Sequence, residues 1–401
     1  MTAEPITIGS QTAGRYKSAY AVGDPEDDKA WGSVAAACVE ALGSLPERAN
    51  LGFVYATGPL ADDLGSIVTF LRERCGITDW VGTVGAGVMA SGEEIYDRPA
   101  LSILVAALPE DSYRLFAPVT GGLEDFTREH GGWVAAHKPI LGVVHGDPRN
   151  PLIVDVVEAV SEATSAFLVG GLTVGEGEDY PQVSGGTQVS GLQVSGAVAA
   201  GGLSGVLFSS EQLAVAGLSQ GCTPIGEPHE VTEMAGEGVV ASLDGRPVLD
   251  VLREEVGELL ARDLRRIGGY IYAALPIAGS DTGDYLVRNL IGMDLERQWL
   301  QIGADLSLGD RLAFCRRDHA SAKEDLQRML RDLSNRAGGA PRAALYVSCV
   351  ARGRHLFGTQ SEELRLIRET FGDIPLTGFF ANGEISNNRL YGYTGVLTLL
   401  L

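Results

Sequence analysis

The sequence predicts an α/β fold: layered sheets covered by helices, built from about three β-α-β-β repeats with an inserted α+β segment. Three observations carry this. A strand, an amphipathic helix, a Gly-rich strand and an apolar strand follow one another at 51–107, at 139–208 and at 342–401. The Gly-rich members read WVGTVGAGVMASGEE, AFLVGGLTVG and PLTGFFANGEI. Each unit also has one helix whose apolar stripe must bury against a sheet face. Glycine supplies 53 of 401 residues, nearly double the usual ~7%, which points to tight turns and close backbone approaches.

Residues 1–29 read as an N-terminal arm, frayed or forming one edge strand. Asp27-Asp28 then cap a helix with Trp31, Val34, Ala35, Cys38 and Leu42 on one face. Leu51–Ala56 is a strand. The helix after it carries Leu64, Ile67, Val68 and Leu71 and closes at Gly76, where a left-handed residue is favoured. Trp80–Met89 and Ala100–Ala107 complete the first unit. In the second, Pro139–Val144 is a strand, and Asn150-Pro151 opens a helix with Ile153, Val156, Val157 and Val160 inward. Ala166–Thr173 and Gly205–Phe208 are its remaining strands. Between them, 174–204 repeats QVSG three times and reads as a solvated loop insertion.

The inserted segment spans 211–320, with strands at Leu213–Leu218, Gly238–Ser242 and Tyr270–Leu275 and a long helix over Pro247–Arg265. Ser321-x-x-Glu324 and Thr359-x-x-Glu362 have the spacing of capping boxes. The third unit comprises Arg342–Val350, a helix over Thr359–Gly372, and strands at Ile374–Ile385 and Gly395–Leu401.

Composition narrows the function. The formal net charge is −21 with no basic stripe, which argues against nucleic acid and anionic membrane surfaces as partners. Solubility is the plain reading of the acidity. The five cysteines, at 38, 75, 222, 315 and 349, are odd in number and form no C-x-x-C, as expected of free thiols in a reducing compartment. The start of the chain has no apolar core after a basic segment, and no apolar run approaches the ~20 residues of a bilayer span. A soluble cytoplasmic protein is the expectation.

Familiar catalytic strings are missing. There is no P-loop, H-E-x-x-H, EF-hand loop or zinc spacing. Gly217-Leu-Ser219-Gln-Gly221 has the letters of a nucleophile elbow, but Cys222-Thr223-Pro224 follows in place of a helix. The G-x-G-x-x-A strings at 85–90 and 236–241 run along strands and open no helix.

Two loops at strand ends form the candidate site. In Ser348-Cys349-x-x-Arg352-Gly353, a strand hands over to a helix, the usual ligand edge of an open α/β sheet. Arg352 offers a fork for a carboxylate or phosphate, or else pairs with a structural carboxylate such as Glu384. Gly378, Asn382, Glu384 and Asn387 make up the second loop. It is either a hairpin turn with polar ends or the partner of a ligand amine. Cys222, between Gly221 and Pro224, adds a thiol at a rigid bend. No two of the six histidines sit at metal-ligand spacing.

The chain resembles the FIST sensory proteins. The resemblance rests on WVGTVGAGVMASGEE, on GLSQGCTPIGEPHEVTEMAGEGVVASLDGRPVLDVL, and on SCVARG with IPLTGFFANGEI and YGYTGVLTLL. It covers roughly 30–401, as a FIST-N-like part over 30–220 and a FIST-C-like part over 221–401. The QVSG stretch departs from the family pattern. The resemblance implies a ligand-sensing module that is not an enzyme, binds a small molecule such as an amino acid, needs no cofactor, and passes its state to a separate signalling protein. An alternative within the family is a haem-based nitric-oxide sensor, with His229 or His355 as the axial ligand. A Cys-dependent enzyme using Cys349 or Cys222 is a third reading.

Overall fold

The computed structural model describes residues 6–27, 30–90, 92–175, 180–184, 188–189, 192–193, 198–257, 264, 267–277 and 285–401. The chain separates into two compact units. The first is Met1–Ser219 with Gln327–Leu390 and Thr394–Leu401; the second is Gln220–Leu326 with Tyr391–Tyr393.

In the first unit the repeat is longer than the sequence suggests. Strand β1 (Thr7–Ala13) pairs with β2 (Tyr16–Val22), which begins repeat one. Then come α1 (Ala30–Leu42), β3 (Leu51–Thr57), α2 (Leu64–Cys75), β4 (Asp79–Gly85), the short β5 (Gly87–Ala90) and β6 (Glu93–Tyr96), and β7 (Ala100–Ala106). Repeat two runs β8 (Tyr113–Val119), α3 (Glu124–His137), β9 (Leu141–Gly146), α4 (Ile153–Thr164) and β10 (Phe167–Leu172). It continues through β11 (Gln182–Ser184), β12 (Gln188–Val189), β13 (Leu192–Gln193) and β14 (Val198–Ala199), and closes with β15 (Leu203–Phe208). Repeat three opens with β16 (Ala214–Gln220).

There the second unit is inserted. It holds β17 (Cys222–Pro224), β18 (His229–Gly236), β19 (Val239–Leu243), β20 (Arg246–Pro247), α5 (Val248–Glu255), β21 (Ile271–Pro276), β22 (Tyr285–Arg288), β23 (Leu290–Asp294), β24 (Trp299–Ile302) and β25 (Arg311–Arg317). These strands form one sheet in the order β22-β21-β25-β18-β19-β24-β23, with β17 on β25 and β20 on β19. Val248, Leu249, Val251 and Leu252 of α5 share its core with Val231, Leu300 and Phe314. The third repeat resumes with α6 (His319–Ala337), β26 (Ala343–Cys349), the one-turn α7 (Gly353–Leu356), α8 (Glu362–Phe371), β27 (Leu376–Ala381), β28 (Glu384–Ser386), β29 (Arg389–Tyr391) and β30 (Thr394–Leu400).

The three repeats share one topology. In each, a central strand pairs in parallel with the strand after its helix: β3 with β4, β9 with β10, β26 with β27. On its other side it pairs antiparallel with the last strand, β7, β15 or β30. The short strands that follow the parallel pair leave their own sheet. β5 joins β27, β28 joins β10, and β11 joins β4, each antiparallel. Every repeat thus donates a hairpin to a neighbour, and the exchange closes in a ring of three.

Glycines make the exchange possible. Gly82, Gly170 and Gly378 pair with Val54, Val144 and Tyr346 in the parallel registers. A Cβ at these glycines would lie 1.7, 1.8 and 1.8 Å from the partner's carbonyl oxygen. No side chain can occupy that space, which accounts for the Gly-rich strands read from the sequence.

A shared apolar core lies between the sheets. Phe53, Val81, Leu104, Val143, Val169, Leu345, Val347 and Val396 belong to it. At its centre one ring from each repeat meets the others: Tyr55, His145 and Phe379, with centroids 4.9 to 5.7 Å apart. Outer layers form where helices cover the sheets. Val34, Leu42, Leu64, Ile67 and Leu71 cover the first sheet; Val156, Val157 and Val160 cover the second.

Several expectations are corrected. The N-terminal segment is a hairpin whose second strand is internal, lying between β1 and β7; it is buried on both faces from Ser18 to Val22, as an internal strand is. The Gly-rich strands Trp80–Met89 and Ile374–Ile385 each break and serve two sheets. Within 174–204, Gln182–Ser184 is buried in the first sheet and is no solvated loop. The helix expected over Pro247–Arg265 ends at Glu255, and 258–263 and 265–266 lie outside the described residues. Neither capping box forms as spaced. Asp318 caps α6, accepting from Ser321 N at 2.9 Å, and α8 starts after Ser361, whose φ is 49° and whose hydroxyl accepts from Glu94 N.

Candidate functional site

Strand β26 is buried along its whole length and delivers Ser348 and Cys349 to its C-terminal end. Arg352 follows in the bend before α7. Its side chain exposes no surface, yet it carries a full charge, so a counter-charge is obligatory. Glu363, in the first turn of α8 and equally buried, supplies it. Arg352 Nε and Nη2 donate to Glu363 Oε1 at 2.9 and 2.8 Å. The Tyr346 hydroxyl donates to the same oxygen at 2.7 Å, and Gly353 N to Oε2 at 2.8 Å. Ser348 Oγ lies 3.3 to 3.4 Å from both. Arg352 also reaches the Ser219 carbonyl and hydroxyl at 3.3 and 3.4 Å, and its guanidinium sits 5.1 Å from the Phe357 ring. Burial opposes the Arg352 charge, but the facing carboxylate more than offsets this and raises its pKa.

Glu384 was the carboxylate the sequence suggested for Arg352. The partner is Glu363, eleven residues along the chain. Glu384, at the start of β28, is also fully buried and turns to β30: its Oε2 accepts Thr394 N at 3.1 Å and Thr394 Oγ1 at 2.8 Å. Its Oε1 is buried without a hydrogen-bond partner. Burial pushes the carboxyl up to about 8; Thr394, the Arg352 charge and the neighbouring Cys349 thiol only partly counter this. A second acid senses the same ion pair. Glu94, from β6, accepts from the Tyr96 hydroxyl at 3.0 Å through Oε2 and leaves Oε1 unpaired. Burial first, and the Glu363 charge second, raise it to about 8.

The repeats provide an internal comparison. Gln182 occupies in repeat two the register position that Glu384 occupies in repeat three, one residue before the partner of the close-approach glycine. Its amide is satisfied at both ends, donating to Gly202 O at 2.9 Å and accepting from Ser204 Oγ at 2.7 Å. At the strand end equivalent to Cys349, Asp147 accepts from Arg149 N and Gly201 N at 2.9 and 2.8 Å, and Thr57 accepts from Ala100 N at 2.9 Å. Repeats one and two close this position with hydrogen bonds inside their own repeat. Repeat three places there a buried ion pair and an acid with one oxygen unmet.

The structure therefore groups Arg352 and Ser348 around Glu363, with Cys349 beside Glu384. Gly378 lies in mid-strand opposite Tyr346 and serves close approach. Asn382 and Asn387 are exposed at the turns flanking β28; Asn387 has a φ of 59° and its N–H bonds the Leu168 carbonyl at 2.8 Å. Cys222 belongs to the second unit and packs there with Tyr272, Ala274 and Cys315. His229 has both ring nitrogens engaged, Nδ1 with Asp244 at 2.6 Å and Nε2 with Glu255 at 2.7 Å, which does not fit an axial haem ligand. His355 is exposed on the single turn of α7. Ser219 lies inside β16, buried against Arg352, and is no elbow nucleophile.

Sequence reasoning missed Glu363 and Glu94. A signal for Glu363 existed: with Leu366 and Ile367 it falls on the core-facing stripe of its helix, a charge where an apolar residue is expected. Glu94 had no such signal, because its burial depends on the hairpin crossing to another repeat's sheet.

Family models match most of the chain. The FIST N domain model matches residues 50–246 and the FIST C domain model residues 249–387. Uncharacterized protein Rv0628c of Mycobacterium tuberculosis is 31% identical over 344 residues, covering 80% of this chain and 83% of the relative. Uncharacterized protein Mb0898c of Mycobacterium bovis is 29% identical over 376 residues, covering 90% and 92%.

Proposed function

Given that the chain belongs to the FIST family, whose domains are sensory domains of signal-transduction proteins, we propose that it is a small-ligand sensor with its site at the end of β26. The observation that carries the reading is Glu384, wholly buried, whose Oε1 meets no N–H or O–H donor and whose carboxyl has only the Cys349 thiol beside it besides Thr394, where repeat two satisfies its equivalent fully. Leaving such an atom unmet costs on the order of 1–3 kcal/mol, a cost that a ligand donor would recover. Glu94 Oε1 adds a second unmet acceptor, electrostatically coupled to the same ion pair.

The division of labour differs from the one the sequence suggested. Glu363 already holds Arg352, so a ligand carboxylate meets no free fork there. The unmet capacity is acidic, and it favours the amine end of an amino acid or similar small metabolite. Arg352 then fixes Glu363 and sets the local charge, Cys349 borders Glu384, and Ser348 braces the pair. The reading is of a binding module and not of an enzyme. The ligand acts by favouring one conformation of the chain over another, and a separate signalling protein reads the result. The five free thiols support a reducing, cytoplasmic setting. Among the described residues no helix is long and apolar enough to cross a membrane.

Thermal-shift screening across amino acids and simple amines tests this. One chemical class should raise the melting temperature by a few degrees in a saturable way, as ligand linkage requires, and Glu384→Gln should abolish the shift while keeping the fold. Equal indifference of wild type and variant to every class would overturn the proposal. Native mass spectrometry and an absorbance spectrum of the purified protein would reveal a retained ligand, and a Soret band would instead favour the haem reading.

A further inference from the structure

The second unit carries a pair of thiols that the ligand reading does not use. β17 runs antiparallel to β25, with Cys222 opposite Arg317 and Pro224 opposite Cys315. Alternation along paired strands puts Cys222 and Cys315 on the same face, diagonally across one step of the ladder. Both thiols are buried in the same small cluster with Tyr272, Ala274, Val287 and Ala313, close enough that each thiol is felt by the other. Both are free cysteines. Tyr272 pairs with Cys315 from the other side, in β21, so Cys315 is fixed within the sheet. Cys222 begins its strand, its carbonyl accepts from the Tyr285 hydroxyl, and the next two residues, Thr223 and Pro224, are exposed.

We infer that Cys222 and Cys315 form a reversible dithiol–disulfide couple, oxidised by a peroxide, that locks the second unit. Cys315 is the resolving partner: the neighbouring Cys222 thiol, together with burial, raises its pKa. Cys222, at the start of its strand beside the exposed Thr223 and Pro224, lies nearer an incoming oxidant and is the attacking atom. It attacks the peroxide O–O bond, giving a sulfenic acid and one water. Cys315 sulfur then attacks the sulfenic sulfur, loses its proton, and expels a second water. Two thiols and one hydrogen peroxide become one disulfide and two waters, and a dithiol reductant reverses the change.

The bond would close a loop from 222 to 315, nearly all of the 220–326 insertion. Cross-linking a loop of this length restricts the unfolded chain strongly, so the oxidised unit should open less often. A peroxide signal would thereby stiffen the inserted unit without touching the acids at the end of β26.

The test uses the full chain, first reduced and then treated with hydrogen peroxide, followed by non-reducing peptide mapping. The expected product is a peptide joining Cys222 to Cys315, lighter by two hydrogens and split by dithiothreitol. Proteolysis within 220–326 should slow several-fold in the oxidised form. Cys38 and Cys75, which sense one another's charge across α1 and α2, are the internal control: a 38–75 link in place of 222–315 overturns the inference. So does independent oxidation of Cys222 and Cys315 to sulfinic acids, or the absence of any link at peroxide levels that oxidise other thiols of the chain. Cys222→Ser and Cys315→Ser should each lose the link; in Cys315→Ser the sulfenic acid left on Cys222 should take up added glutathione, whereas Cys222→Ser, lacking the attacking sulfur, should take up none. If either variant fails to fold, the wild-type map still decides.

Discussion

Arg352 and Glu363 face each other at 2.8 Å, and neither side chain exposes any surface. Each charge is buried only because the other is present. The carboxylate is satisfied by the guanidinium, a tyrosine hydroxyl and a backbone N–H. Removing one partner leaves an orphan, whereas removing both leaves an apolar gap.

Glu363→Ala should therefore cost about 3–5 kcal/mol of unfolding free energy, read by urea denaturation. The pair Arg352→Met with Glu363→Leu should cost less than either single change. A double variant as unstable as the sum of the singles would show that the pair is not coupled as described.

Glu384 should make stability fall on the alkaline side. Its folded pKa is raised from the usual carboxylate value to about 8. The folded state thus holds a proton that the unfolded state releases, so the contribution is full below about pH 4.5 and is lost as pH rises through about 8. Glu384→Gln, which copies Gln182, should flatten the melting temperature across that window. An unchanged slope in the variant would assign it elsewhere, with Glu94→Gln the next candidate because Glu94 titrates over the same range.

His145 should act on the acid side. Buried between Tyr55 and Phe379, it has Nε2 at 3.2 Å from the Tyr55 hydroxyl and Nδ1 unpaired. Burial lowers its pKa to about 3. The unfolded state takes up a proton that the folded state refuses, so stability present above about pH 6.5 is lost as pH falls toward 3. His145→Phe should move the acid-unfolding midpoint downward. A variant that unfolds at the same pH would mean that other groups control the acid limb.

The close-approach glycines should resist any side chain. Gly82→Ala, Gly170→Ala and Gly378→Ala each drive a methyl into a neighbouring strand's carbonyl and should cost roughly 3 kcal/mol or more. Gly132→Ala, on α3 with nothing within 4 Å of the added carbon, should be neutral or stabilising by up to ~1 kcal/mol. Thermal melts of the four variants give the ranking directly, and equal effects at all four would refute the packing argument.

By itself the sequence determined the class of fold and the three repeats, and it pointed to the end of β26 as a place to look for a site. These are local properties. Apolar periodicity marks which face of a helix or strand is buried, and a glycine run records that no side chain fits. The sequence did not determine which partner each buried polar group would find. Ser102 bonds Thr377 at 2.7 Å across 275 residues, and Glu94 nears the ion pair only because its hairpin crosses into another repeat's sheet. The same holds for Arg352: an acid at 384 and an acid at 363 are equal candidates in one dimension, and the docking of α8 on β26 chose between them. Periodicity says that a residue is inside, but only the closed ring of exchanged hairpins sets what it meets there.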